Sequence, residues 1–203
     1  MPDNKKLNAF HFIILAASIF WTFTGIISPQ SKSNLDIFYS LADSTVSTFI
    51  HSENPHDSVY TEITNLGAYS VFNNQILGFL HSNQLKAVSE KGTGTPQFLY
   101  TIEKASTTYE DIFRDGFLGT YLVKRRLTFK GNYFYTGKGL KEFNLVYSDT
   151  VKVDEIKDLE NSVFSFTVGT IPAEPFFSGL FEPVAALGTA AAAVILFFTV
   201  RGK

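Results

Sequence analysis

The 203-residue chain contains no cysteine. That absence excludes a disulfide framework, a zinc–thiolate centre, a thiol nucleophile and a lipid-modified N-terminal cysteine. Charge of one sign is scarce as well: 17 Lys and Arg against 19 Asp and Glu leave a net −2. A general nucleic-acid binder needs a clear basic excess, so nucleic acid is not an expected partner. No Gly-x-Ser-x-Gly elbow occurs, and the glycine-bearing stretches 91–95 and 137–139 lack phosphate-loop spacing. What is present is apolar: 45% of residues are hydrophobic and 15% aromatic, too many for a disordered polar chain.

Much of this apolar material is gathered at the two ends. Residues 9–28 run for 20 positions without Asp, Glu, Lys or Arg. At about 1.5 Å of rise per residue, such a helix matches the roughly 30 Å hydrocarbon core of a bilayer. Lys5 and Lys6 stand ahead of it, the basic flank of either a transmembrane signal anchor or a cleaved signal peptide. The exit has no Ala-x-Ala site, and both readings stay open. His11, inside the run, is expected to be a neutral interfacial residue. A second block, residues 183–200, opens at Pro183 and is followed by Arg201 and Lys203. Proline suits a first helical position, Glu182 the positive end of the helix dipole, and the two cations its negative end. This run is expected to be a transmembrane helix. Its Gly188, Ala191 and Ala192 are a candidate helix-packing face, because small residues let helices approach closely.

Both basic flanks point to the cytoplasm. The expected organisation is a cytoplasmic N-terminus (1–8), a first membrane segment (9–28), a non-cytoplasmic domain (29–160), a juxtamembrane linker (161–182), a transmembrane helix (183–200) and a cytoplasmic tip (201–203). That places the protein in the cytoplasmic (inner) membrane, with residues 29–182 on the periplasmic or extracellular side. This segment carries 13 basic and 18 acidic residues, a net −5. Its size suits one domain.

Within it, apolar residues recur at three and four positions from Leu35 to Phe49, predicting a helix of about 15 residues capped by Asn34 and ended by Asn54-Pro55. Residues 59–63 read as a strand, 66–80 as a second helix, 85–89 as a short strand, and 98–103 as a third. From Tyr121 to Tyr135 the odd positions (Tyr121, Val123, Arg125, Leu127, Phe129, Gly131, Tyr133, Tyr135) alternate with a mostly polar set. A period of two places one face on a core and the other in water. Turn residues at 136–139 and renewed alternation at Phe143, Leu145 and Tyr147 predict a long hairpin, followed by a short helix through Val153, Ile156 and Leu159. The expected fold is α+β, with helices on one face of a mainly antiparallel sheet, flanked by N- and C-terminal transmembrane helices. The element order over about 30–150 resembles the periplasmic α/β modules of envelope-assembly lipoproteins, such as the curli secretion-channel protein and the activators of cell-wall synthases. Those are anchored by a lipidated cysteine, which this chain lacks.

Local chemistry is sparse. His51, His56 and Asp57 flank a proline at a spacing that does not suit helical metal ligands. Glu110, Asp111 and Asp115, or Asp149 with Asp154 or Glu155, would have to pair in space to divide acid and base roles. No catalytic residue, cofactor or metal is nominated, and an enzyme is not expected. A basic strip along the hairpin, Lys124, Arg125, Arg126 and Lys130 interleaved with Tyr133 and Tyr135, is the candidate interaction site. Outside the cytoplasm its fitting partners are anionic lipid headgroups, a cell-wall polymer or an acidic protein rather than nucleic acid. The expected function is a membrane-anchored non-catalytic scaffold or subunit of a cell-envelope assembly, with other envelope proteins or a homo-oligomer as partners. The alternatives are an extracytoplasmic ligand-binding or sensor domain relaying through a partner, and a membrane-anchored hydrolase. Three residues after the second block and eight before the first leave no room for an output domain, which favours the scaffold.

Overall fold

The computed structural model describes residues 31–55, 58–116, 119–173 and 178–201. The described residues from Lys32 onward form one compact unit, and the expected membrane segment 9–28 lies outside the described residues. The first helix, α1 (Asn34–Glu53), is capped by Ser33, whose Oγ accepts from the Asp36 N–H at 3.1 Å. The cap is thus Ser33 rather than Asn34. At the far end Asn54 takes a left-handed φ of 43° and donates its N–H to the Ile50 carbonyl, closing a helix of 20 residues. Ile37, Phe38, Ala42, Val46 and Phe49 are buried along one stripe of this helix.

Strand β1 (Ser58–Asn65) leads through a 3-10 turn (Gly67–Tyr69) into α2 (Val71–Ser82) and back to β2 (Lys86–Val88). The second helix begins at Val71 rather than Leu66, which is exposed. Three long strands follow: β3 (Gln97–Arg114), β4 (Tyr121–Tyr135) and β5 (Gly139–Lys152). The sheet order is β2-β1-β3-β4-β5. The expected hairpin is β4–β5, with Leu127 opposite Tyr147 and Phe129 opposite Leu145. The sheet is mainly antiparallel, as expected, through its three long strands, and is mixed because β1 pairs in parallel on both of its sides. Crossing over through α2 returns the chain parallel to β1, and β1 also lies parallel to β3.

Strand β3 is three times longer than the alternation at 98–103 predicted, because its period breaks twice. Register shifts fall between Ile102 and Lys104 and between Glu110 and Ile112. Each inserts one residue and resets which parity faces inward. The buried set therefore runs Phe98, Tyr100, Ile102, then Ala105, Thr107, Tyr109, then Ile112. At the second shift Asp111 adopts a left-handed φ of 52°.

Helices α1 and α2 bury their apolar stripes against the inner face of the sheet in one cluster that includes Phe98, Tyr100, Leu127 and Phe129. Phe38 meets Phe166 edge-on at 5.2 Å between ring centroids, and Phe72 lies 5.3 Å from both Phe129 and Phe166. Burying one such ring contributes about 1.5–3 kcal/mol. Phe166 belongs to a 3-10 turn (Ser165–Thr167) inside the stretch expected to be linker. That stretch is part of the domain as far as Gly169. Phe166 fills the core, Thr107 Oγ1 donates to its carbonyl at 2.9 Å, and the Gly169 N–H donates to Glu160. A Cβ at Gly169 would lie 2.8 Å from the Tyr109 ring, so only glycine fits there. The short helix expected through Val153, Ile156 and Leu159 is a 3-10 turn (Val153–Glu155) running into a four-residue helix, α3 (Ile156–Leu159), which packs Ile156 and Leu159 on Val123 and Val151.

The last helix, α4 (Ser178–Arg201), starts five residues before Pro183. At the sixth helical position the proline removes one N–H from the ladder, and an interior proline, whose ring meets the carbonyl four residues back, costs a helix about 3 kcal/mol. Its side chains are described over 184–199, within the expected span of 183–200, and Val184, Leu187, Ile195 and Phe198 are exposed, as are Gly188, Ala191 and Ala192. Among the described residues no helix is long and apolar enough to cross a membrane, so the block at 183–200 forms a helix, as expected, but not the expected transmembrane one.

Candidate interaction surface

The structure divides the basic strip between the two faces of β4. Lys124, Arg126 and Lys130 occupy even positions and point to solvent; Arg125, Tyr133 and Tyr135 occupy odd positions and are buried. As an exposed strip of six residues it does not exist, because neighbours on a strand alternate sides. Tyr133 and Tyr135 are core residues, each edge-on to Phe49 at 5.6 and 5.2 Å. The three exposed cations each face a carboxylate from β3: Lys124 with Asp111 at 2.9 Å, Arg126 with Glu110 at 3.2 Å and Lys130 with Glu103 at 3.2 Å. These pairs neutralise the face, leaving little net potential to attract an anionic surface. They also engage Glu110 and Asp111, which had been weighed as an acid pair.

Arg125 is the largest fully buried side chain of the domain. Its Nε and Nη2 donate to the two Asp149 oxygens at 2.8 and 2.5 Å, and its Nη1 donates to Asn34 Oδ1 at 2.7 Å and the Lys32 carbonyl at 2.9 Å. Asn34 Nδ2 donates onward to the Thr167 carbonyl at 2.6 Å and to the Tyr109 hydroxyl at 3.1 Å. Burial pushes the Tyr109 phenol up to about 12, so it stays protonated. The network ties the entry of α1, the hairpin and the C-terminal segment together. No buried side-chain N or O among the described residues lacks a partner. Its role is positional: a buried charge with each of its three nitrogens engaged fixes one arrangement of the elements around it.

An interaction surface emerges instead at the edge of the sheet. The other edge, β2, is three residues long, whereas β5 offers fourteen. Strand β5 pairs with β4 on one side, and among the described residues no strand pairs with it on the other. Its outward N–H and C=O groups are therefore open to another strand. On the inner face Phe143, Leu145 and Tyr147 are only half-buried, although their cross-strand partners Gly131, Phe129 and Leu127 are buried. Phe143 lies across Gly131, stacking on Tyr100 at 5.3 Å and Phe129 at 5.5 Å. A Cβ at Gly131 would come within 2.7 Å of the Phe143 ring, so this glycine makes room for it. Beside this row runs a groove of about 420 Å³, lined by Thr45, Thr48 and Ser52 of α1 and by Lys141, Phe143 and Leu145 of β5. At its end Lys141 forms an ion pair with the buried Glu53. The Lys141 hydrogen bond holds the Glu53 carboxyl below the usual carboxylate range, and Glu53 in turn raises the lysine.

Neither the edge nor its aromatic row was singled out from sequence, although the alternation at Phe143, Leu145 and Tyr147 was visible. The missing signal was connectivity: among the described residues β5 is followed by helices and no further strand that could cover its outer side. Of the other candidates, His51 is exposed with Nδ1 2.7 Å from the Ser47 carbonyl, and His56 and Asp57 lie outside the described residues. Among the described residues no group of three His, Cys, Asp or Glu could hold a metal.

No family model matches the sequence, and no curated protein matches it. Among solved structures, the crystal structure of the rare lipoprotein B from Shewanella oneidensis is weakly similar. The alignment covers 46% of this chain and 68% of that one, at 11% identity and a TM-score of 0.34. A likeness at that level carries no inference about activity or assembly.

Proposed function

We propose that the protein is a membrane-anchored, non-catalytic scaffold or subunit of a cell-envelope assembly, whose extracytoplasmic domain docks partners by strand addition to β5. The observation that carries this reading is the open fourteen-residue edge with half-buried aromatic side chains beside a groove. Strand addition draws affinity from main-chain hydrogen bonds and specificity from alternate side chains in neighbouring pockets. The charge-free run 9–28 behind Lys5 and Lys6 supports anchoring in the cytoplasmic membrane with the domain outside the cytoplasm.

The test blocks the edge without disturbing the fold. Asn144 lies opposite Lys130 and Val146 opposite Thr128 on the exposed face, so Asn144→Glu with Val146→Glu adds charge where the chain itself tolerates it. Charges on an edge strand oppose strand addition. Co-purification of the full chain in mild detergent should lose its partners at least about tenfold in this variant, a change of roughly 1.4 kcal/mol in binding. Undiminished recovery, with the melting temperature unchanged, would refute docking through β5.

A further inference from the structure

The partner class can be read from the edge strand itself. We infer that β5 pairs antiparallel with β5 of a second copy of this chain, about a two-fold axis at Leu145. The inference rests on the docking role just proposed and names its occupant. With Leu145 opposite itself, Phe143 faces Tyr147 and Lys141 faces Asp149 on the inner side, in both directions, because a two-fold interface is self-complementary. On the outer side Glu142 faces Ser148 and Asn144 faces Val146. An apolar centre is thus flanked by aromatic pairs, a combination that favours cross-strand neighbours, while Lys141 and Asp149 keep their own partners Glu53 and Arg125 within each copy.

Adjacent registers lose this match. An axis at Val146 sets Phe143 against Asp149 and Lys141 against Val151, and one at Tyr147 sets Leu145 against Asp149. An axis at Asn144 places Lys141 against Tyr147 and leaves Asp149 opposite Gly139. Of these four axes, the one at Leu145 alone sets no inner-face apolar residue against a charge and pairs Phe143 with Tyr147. The half-buried state of Phe143, Leu145 and Tyr147 fits the same arrangement. A second strand would extend their row and wall the groove that α1 leaves open on the edge side.

A cysteine-free chain makes this directly testable, since each introduced thiol is the only one. In the full chain in mild detergent, Leu145→Cys should oxidise with copper-phenanthroline to a disulfide dimer, its Cβ atoms about 5 Å apart across the axis. Ser148→Cys alone should stay monomeric, because the two copies of that position are offset by six residues, about 20 Å. Mixing Glu142→Cys with Ser148→Cys should restore the cross-link in the mixed pair. Adding Asn144→Glu and Val146→Glu to Leu145→Cys sets like charges opposite one another and should cut cross-linking at least about tenfold. A monomeric Leu145→Cys chain, or equal cross-linking at 145 and 148, overturns the inference. If the chain is monomeric yet the Asn144→Glu and Val146→Glu variant still sheds co-purifying proteins, the docking edge survives and the second copy does not. If that variant sheds nothing either, both fall.

Discussion

On the inner face of β4, Arg125 is wholly buried and answered by Asp149, Asn34 and the Lys32 carbonyl. One residue to either side, Lys124 and Arg126 lie half in water, each with one carboxylate opposite. The difference teaches that local charge density does not identify a binding site on a strand, because alternation sends consecutive cations into environments with opposite energetics. A buried ion must have its partners in place, since its desolvation is costly and water is not there to replace them. An exposed pair loses little when broken, because water solvates both ions and salt screens them.

The comparison can be broken first where the effect is largest. Arg125→Ala leaves Asp149 and Asn34 without their shared donor, and losing one member of a buried pair costs about 3–5 kcal/mol. Thermal unfolding should fall by on the order of 10 °C for a domain of this size. Replacing both ends of the pair, Arg125→Met with Asp149→Leu, should recover part of that loss, because two matched apolar groups avoid the uncompensated charge. If Arg125→Ala unfolds within a degree or two of the wild type, the network does not tie the domain together.

The same alternation explains what was legible in the sequence. Strand β4 keeps one parity from Val123 to Tyr135, and its odd positions, Arg125 among them, are the buried ones. The strip was misread because its residues were grouped by adjacency instead of by face. In β3 the period resets at two bulges, so only the stretch before the first was recognisable. The stretch 161–169 carries no periodicity at all; Phe166 enters the core through one turn, and nothing local marks a single aromatic as buried. Parallel pairing of β1 was illegible for a different reason: strand direction is decided by long-range packing of α2, not by the residues of the strand.

Between the two extremes stands the ion pair at the groove, with Glu53 buried and Lys141 half exposed. Because the folded state depresses the Glu53 pKa through the Lys141 hydrogen bond, its contribution is fully present above the unfolded value near 4.3 and is lost as pH falls through the lower folded value. The raised Lys141 pKa acts with the opposite sign: its share holds below an unfolded value near 10.4 and disappears above the folded one. Melting temperatures of the wild type and Glu53→Gln should therefore differ by a constant amount from about pH 6 to 8 and draw together as pH falls through the lowered folded value. A gap that does not narrow at all as pH falls below the unfolded value would assign the stabilisation to packing rather than to charge.

The smallest effect belongs to the outer face. Lys124→Ser with Arg126→Ser removes two exposed pairs, each worth about 0–1 kcal/mol, and should move stability by no more than about 1 kcal/mol. What change there is should vanish between roughly 0.05 and 0.5 M salt, as screening shortens the reach of exposed charges. Partner recovery should also stay at the wild-type level, because β5 presents its free backbone groups along the sheet edge while these side chains stand on the sheet face. A substantial loss of partners from this variant, with β5 intact, would move the interaction surface from the edge to the outer face. It would also mean that the carboxylates of Glu110 and Asp111 yield their cations to a partner more anionic than themselves.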